Sequence, residues 1–545
     1  MNNKILMAGT LALSLAMASC TDSFLDTSSK TESNTDTFYK TETDAYRALI
    51  GCYDGWRQTN SAPGVSFYVA SEVMGAECLG ATGNTDGRGY QVIDRFDIAQ
   101  SPSDLNLFET DWARYYQGIY RCNELISRED QIQWKAEDSE HGSYIGQARA
   151  LRALLYFDAV RLWGNIPLLT APSSDNIPQA DPADVYALII DDLKYAAANI
   201  PEQDGQYDGH ITKYAAEALL ARVYLYYSGY YGQEPATLTK AEALAAVEDV
   251  VNSGRYQLVA NYADLWRPSS GVVADKDDFE TLTGTYAGDD NSEILLSMKF
   301  TSTQDYNGNN DGNRWLVMMG VRNGTSGAGG DRAPYGHGWG ACTVLPSFYA
   351  SYTSGDTRRD ASIIDLAGLG YNTDEQKTDQ REYTGYTVKK YTPMCYADGT
   401  TASNALEHSQ GFQESQFQDF VIVRYADVLL MAAELGSSNA QSYLDQVRDR
   451  AFGNTAHRIT ATRENILRER RFEFAFEAVN YWDLLRQGVD YAATQLAMTV
   501  SVESAGSPET VSISAENFKS KRGLCQIPYN QINLSNNVLK QNAGW

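Results

Sequence analysis

The sequence predicts a mainly α protein: a scaffold of helix hairpins, interrupted by a long loop-rich insert of the kind that usually forms a functional surface. Three observations predict it. Apolar residues recur at helical spacing in several long stretches before residue 254 and again after residue 420. Small residues, mostly alanines, sit where such helices would cross. Between Arg255 and Gln418 the periodicity stops, and Gly, Asn, Asp and Tyr become dense.

At the N-terminus, Lys4 precedes an apolar run from Ile5 to Ala18 that ends in small residues, the order of a secretory leader. Spanning a bilayer core takes about 20 apolar residues, so the run directs export rather than anchoring. Ala16-Met17-Ala18 would release a soluble protein at Ser19, whereas Met17-Ala18-Ser19-Cys20 resembles a bacterial lipobox, in which Cys20 is diacylated and becomes the new N-terminus. Two acyl chains anchor stably where one does not. The expected division is therefore a lipoprotein signal peptide at 1–19, a lipidated flexible tether at 20–36 and one domain at 37–545. Within that domain the helical scaffold covers about 37–254 and 420–490, the insert 255–418 and a C-terminal tail 491–545.

The stretch 147–169 carries Leu151, Leu154, Leu155 and Leu162 at helical spacing, with Phe157, Val160 and Trp163 on an adjoining face, and Gly164 and Pro167 end it. A helix pair follows at Asp184 to Asn199 and Ile211 to Ser228, the second stacking Tyr214, Ala218, Ala221 and Leu225 on one side. A further helix runs from Lys240 to Asn252 and closes at Ser253-Gly254. Hairpins of ~34 residues with small residues at the crossings suggest tetratricopeptide-like units. Helices are expected to resume at 420–435 and 464–488.

Composition narrows the function. The 545 residues carry a formal charge of −26, a surface that repels nucleic-acid phosphates and anionic lipid heads, so nucleic acid is excluded as a partner. Tyrosine is the unusual residue, with 36 against 17 phenylalanines, an apolar ring with a polar tip. Beyond Cys20, Cys52, Cys78, Cys122, Cys342, Cys395 and Cys525 follow no metal or disulfide spacing; a pairing such as Cys52 with Cys78 is left open.

No HExxH, GxSxG or Walker motif is present, and the five histidines are scattered. Glu473 and Glu477 stand one helical turn apart and invite comparison with a glycosidase pair. Arg470 lies three residues before Glu473, and Asp483 and Arg486 make another i,i+3 pair, so an ion-pair network is the stronger reading. The turn-rich 307–318 segment, starting with Asn307, Asn309, Asp311 and Gly312, resembles half a calcium loop but has Met318 where Glu is needed. No catalytic residue, metal site or cofactor is expected.

Sugar rings need aromatic faces to stack on and paired polar groups for their hydroxyls. Two loop stretches supply both: 76–91 with Asn84, Asp86, Arg88 and Tyr90, and 329–340 with Asp331, Arg332, Tyr335, His337 and Trp339.

Taken in order, CTDSFLDTSS, FYKTETDAYRALIGCYDG, ALRALLYFDAVRLWGNIPL, HITKYAAEALLARVYLY, VRYADVLLMAAEL, LDQVRDRA, ILRERRFEFAFEAVNYWDLLRQG and QIPYNQINLSNNVLKQNAGW resemble the RagB/SusD family nearly end to end. The resemblance implies a SusD-like scaffold of about four tetratricopeptide units with the insert as ligand face. It implies a cell-surface, outer-membrane lipoprotein that captures an oligosaccharide and serves as the lid of a SusC-like TonB-dependent transporter. A peptide-binding lid of the same architecture is one alternative, and a surface glycan-degrading enzyme is another of a different class. Starch-binding members have tryptophan directly after the segment matching AECL, where this chain has Gly80-Ala81-Thr82, which makes starch doubtful as the ligand.

Overall fold

The computed structural model describes residues 38–61, 64–137, 139–202, 207–270, 273–274, 282–300, 312–323, 335–369, 374–394 and 416–545. The leader, Cys20, Asp331, Arg332, Cys395 and most of the half calcium loop lie outside the described residues.

The scaffold is helical. After α1 (Glu42–Ser61) come two short helices, α2 (Phe67–Val73) and α3 (Gly89–Asp94), followed by α4 (Glu109–Ser127), α5 (His141–Trp163), α6 (Pro182–Asn199), α7 (Lys213–Tyr231) and α8 (Lys240–Asn252). From α4 onward each helix packs on the next, and α4 also packs on α1. Local chemistry sets the boundaries. Asp181 accepts from the Ala183 amide with Pro182 at the first helical position, Thr212 accepts from Ala215, and Thr239 with Glu242 forms a reciprocal capping box. The expected helix in 147–169 is part of α5, whose leucines and aromatic residues are buried on both faces, and the charges buried with them are paired, Arg152 with Asp192 and Arg161 with Asp158.

The chain then leaves the scaffold and returns. A four-stranded antiparallel sheet takes β1 (Cys78–Gly80) from the N-terminal half and three strands from the insert: β3 (Cys342–Val344), β4 (Ile363–Asp365) and β5 (Tyr386–Val388), in the order β1-β3-β5-β4. Before these, β2 (Ile294–Met298) pairs antiparallel with β6 (Phe420–Arg424). The insert also holds the six-residue α9 (Arg314–Met319). Beyond β6, α10 (Tyr425–Leu435) packs on α8 and α7 from the first helical set and on α11 (Ala440–Phe452) and α12 (Arg463–Glu473) from the second. The two sets are thus one scaffold in space, divided in sequence by the insert. One contiguous apolar core runs from Ala45 to Leu539.

Two expectations need correction. Residues 420–424 are a strand, not the start of a helix: Val421, Ile422 and Val423 are β-branched, and β2 supplies the ladder partner. The expected helix at 464–488 is broken. It ends at Glu473, and a turn with Phe476 at φ 64° and Ala478 at φ 58° leads to α13 (Asn480–Leu485). The turn is held from outside, since Glu72 accepts the Ala478 amide at 3.1 Å.

Glu473 and Glu477 therefore do not share a helix face, yet they meet in an ion-pair network. Arg424 donates to Glu293 (2.7 Å), Glu473 (2.6 Å) and Glu477 (2.8 Å), Arg358 to Glu469 and Glu473, Arg450 to Glu293 and Glu473, and Lys390 to Glu477. Burial alone would raise the Glu473 carboxyl; Arg450, Arg424 and Arg358 outweigh it and hold it at about 2. Arg470 pairs with Asp427 and Asp483 rather than with Glu473, and the expected Asp483–Arg486 pair is present. Both glutamates are buried and saturated with donors, so they cannot flank a sugar.

The described cysteines outside the leader are buried free thiols. Cys52 lies against Cys122, and Cys78 against Cys342 from the neighbouring strand; Cys52 does not meet Cys78.

Candidate functional site

After β1 the chain stays extended and is gripped on both sides. The Ala81 amide donates to Ala341, Arg381 to the Thr82 carbonyl and Asn84 to Asp379. The next residues turn back on themselves: the Asp86 amide donates to Gly83 at 3.0 Å, and the Asp86 carboxylate accepts from the Gly83 amide at 2.8 Å. Arg381 locks this turn by donating to the carbonyls of Asn84 and Asp86.

Residues 338–341 are pinned to the end of α9. The amides of Trp339 and Ala341 donate to the carbonyls of Val317 and Met318, each at 2.7 Å, and those of Gly338 and Gly340 to Val321 and Gly320. The two backbones nearly touch. A Cβ on Gly338 would lie 2.4 Å from the Gly320 Cα, so no other residue fits there. These main-chain bonds present the Trp339 side chain from a rigid strut.

The two stretches singled out in the sequence meet. A cavity of ≈700 Å³ lies between them, lined by Thr82, Asp86, Tyr90, His337 and Trp339 together with Arg314, Met318, Arg322, Asn323, Asp104 and Leu107. This volume is in the range of small-ligand sites. The Arg314 guanidinium lies over the Trp339 ring, 4.9 Å from its centroid. Arg322 donates through Nε to Asp379 at 2.9 Å and through a terminal nitrogen to Asp86 at 3.4 Å. Asn323 donates to the same Asp379 oxygen. Partial burial would raise the Asp379 carboxyl, but Asn323, Arg322 and the nearby His337 bring it below its ordinary value.

The other predicted residues take different places. Tyr90 lines the cavity but is buried in its wall, with its hydroxyl near the Met318 sulfur, and burial pushes its phenol up. Tyr335 faces away, into a small apolar cluster with Val321, Ile364, Leu366 and Tyr383. Asn84 contributes backbone to the turn, and Arg88 directly precedes α3; neither lines the cavity. Arg314, Arg322 and Asn323 were missed. The signal available was the Arg322-Asn323 pair directly before the glycine-rich run.

Position 80 explains the absent tryptophan. A Cβ there would sit 2.4 Å from the Tyr90 carbonyl oxygen, so an aromatic side chain would have to displace α3. Two other spaces differ in character. A void of ≈50 Å³ beside Arg161, Arg470 and Trp482 is too small for a sugar ring. A groove of ≈710 Å³ near Lys213, Tyr214 and Asp290 draws on none of the predicted stretches, and its lysine is spent on Asp249 at 2.7 Å.

Comparison with known proteins adds to this geometry. A family model described as "SusD family" matches residues 292–545, and one described as "Starch-binding associating with outer membrane" matches residues 23–225. A SusD-like protein of Bacteroides ovatus is 26% identical over 504 residues, covering 89% of this chain and 82% of the relative. SusD-like protein P25 of Formosa agariphila is 23% identical, covering 86% and 87%. Among solved structures, a laminarin-binding SusD-like protein is 27% identical with a TM-score of 0.71, covering 93% of this chain and all of the other. Surface glycan-binding protein A of Bacteroides thetaiotaomicron in complex with laminarihexaose, 23% identical, superposes with a TM-score of 0.70 over 92% of this chain and all of that one.

Proposed function

The chain belongs to the SusD/RagB family, and on that premise we propose that it is a surface glycan-binding protein that holds an oligosaccharide in the cavity between residues 82–90 and 337–341. One observation carries the reading: a half-buried tryptophan on a rigid strut shares a cavity with Asp86, Arg322, Asn323 and His337. The part of the ring left exposed beside Arg314 offers an apolar surface for sugar C–H groups, and the polar side chains offer donors and acceptors for hydroxyls. That two structural relatives are a laminarin binder and a complex with laminarihexaose supports a glycan as cargo.

The protein works without chemistry on this reading. Glu473 and Glu477 are taken up by arginines and Lys390, and the cavity suits weak multi-contact holding rather than charge stabilisation in a transition state. The lipobox at Cys20 and the tether to residue 36 would hold the molecule at the outer membrane, at the cell surface, as the lid of a SusC-like TonB-dependent barrel.

Incubation with a glycan panel tests the reading. Calorimetry or affinity electrophoresis should reveal retention of at least one oligosaccharide, with no new reducing ends released. Turnover, or silence across the panel, would overturn it.

A further inference from the structure

We infer that the glycan taken by this cavity is uncharged, a neutral oligosaccharide rather than a sulfated or uronate-bearing one; this rests on the glycan-binding reading above. A site for anionic sugars needs cations whose donors are open to a sulfate or carboxylate. Both arginines among the described lining residues are committed. Arg322 is held by Asp379 at 2.9 Å and by Asp86 at 3.4 Å, and Arg314 is laid over Trp339. Recruiting Arg322 to an anion would mean breaking a charge-assisted bond to a carboxylate that Asn323 also holds in place.

The carboxylates on the wall point the same way. Asp86 is about half exposed, at 48%, and Asp104 joins it on the wall, so an approaching anion meets carboxylate oxygens. A neutral sugar meets them as acceptors for its hydroxyl protons, and Thr82 and Asn323 on the same wall are further uncharged partners. Beyond the cavity, the formal charge of −26 raises the cost of bringing a polyanion to this surface at all.

The test uses the intact mature chain and two arms: neutral β-glucans, mannans, galactans and arabinoxylan, against alginate, polygalacturonate, carrageenan and chondroitin sulfate. A neutral glycan should be retained, with affinity changing less than about twofold between about 50 and about 500 mM salt, since no ion pair forms on binding. Retention of acidic glycans in preference to neutral ones, or an affinity falling about tenfold over that salt range, would overturn the inference and leave glycan binding intact. Retention in neither arm would remove the glycan reading and this inference with it. A double variant, Asp86→Asn with Asp379→Asn, should gain about fivefold in retention of acidic glycans as Arg322 is released. No gain in a variant whose melting transition stays cooperative would show that these pairs do not set the charge preference.

Discussion

Trp339 stands on a backbone that does not depend on its side chain, because its amide bond to Val317 and the bonds of the flanking glycines are all main-chain. Replacing it should therefore separate binding from folding. Trp339→Ala is expected to weaken oligosaccharide binding by about tenfold or more, ~1.5 kcal/mol of lost ring contact. Because the ring is only half-buried, the stability loss should stay below about 2 kcal/mol, less than the ~3–5 of a fully packed tryptophan. Calorimetry and thermal melting on one purified mutant read both, and undiminished affinity in a folded protein would remove Trp339 from the site. Glu72 makes a contrasting case, since it is buried outside the cavity lining and accepts the Ala478 amide. Burial first, and then the neighbouring Glu77, raise its carboxyl to about 8 from 4.5. A carboxyl with a raised folded value binds more protons in the native than in the unfolded state across that interval. Its contribution is fully present below about pH 4.5 and is lost as pH rises towards about 8. Glu72→Gln, which cannot ionise, should flatten the fall in the urea midpoint between those values; an unchanged slope would show that Glu72 titrates normally.

At the scale of elements, Arg424 is the last residue of β6 and joins it to the turn after α12, so its removal tests what holds that turn. Arg424→Met should cost about 3–5 kcal/mol, because Glu293, Glu473 and Glu477 are left buried with fewer counterions. Chemical denaturation checks it, and a loss under about 1 kcal/mol would mean that Arg358, Arg450 and Lys390 suffice without it. This turn also shows where the sequence was silent. Helices such as Lys240–Asn252 were legible to the residue because their caps are local: Thr239 and Glu242 bond to each other's backbone within one turn. The break at 474–479 contains no glycine or proline to announce it, and its positive φ values persist through contacts made by Glu72 and Arg424 from elsewhere in the fold. The strand at 420–424 was hidden likewise, since its partner β2 lies far back in the sequence, within the insert. For the site, loop composition pointed to Asp86, His337 and Trp339, which do line one cavity. It also pointed to Tyr335, because an aromatic residue among glycines carries no mark of which way it faces. Arg314 and Arg322 join the cavity only through α9 and the docking of Asp379, and a six-residue helix is too short to leave a periodic trace.

For the molecule as a whole, the question is what keeps it at a membrane. Among the described residues no helix is long and apolar enough to cross one. Nor can the surface adhere electrostatically: with a formal charge of −26 it is repelled by anionic headgroups, and polybasic attachment needs the opposite sign. Two attachments remain on the proposed reading, the acyl chains on Cys20 and the partner barrel. They can be told apart, because the lipid acts alone and the barrel must be present to act. Cys20→Ala, expressed in cells lacking the barrel, should move from the membrane pellet to the soluble fraction, while the unaltered protein stays with the membrane in the same cells. Restoring the barrel should return part of the mutant to the membrane fraction, to the extent that the lid binds its rim. A Cys20→Ala protein that sediments with membranes in the barrel-free strain would show that some other feature of this chain binds the bilayer, and the tethered-lid arrangement would have to be abandoned.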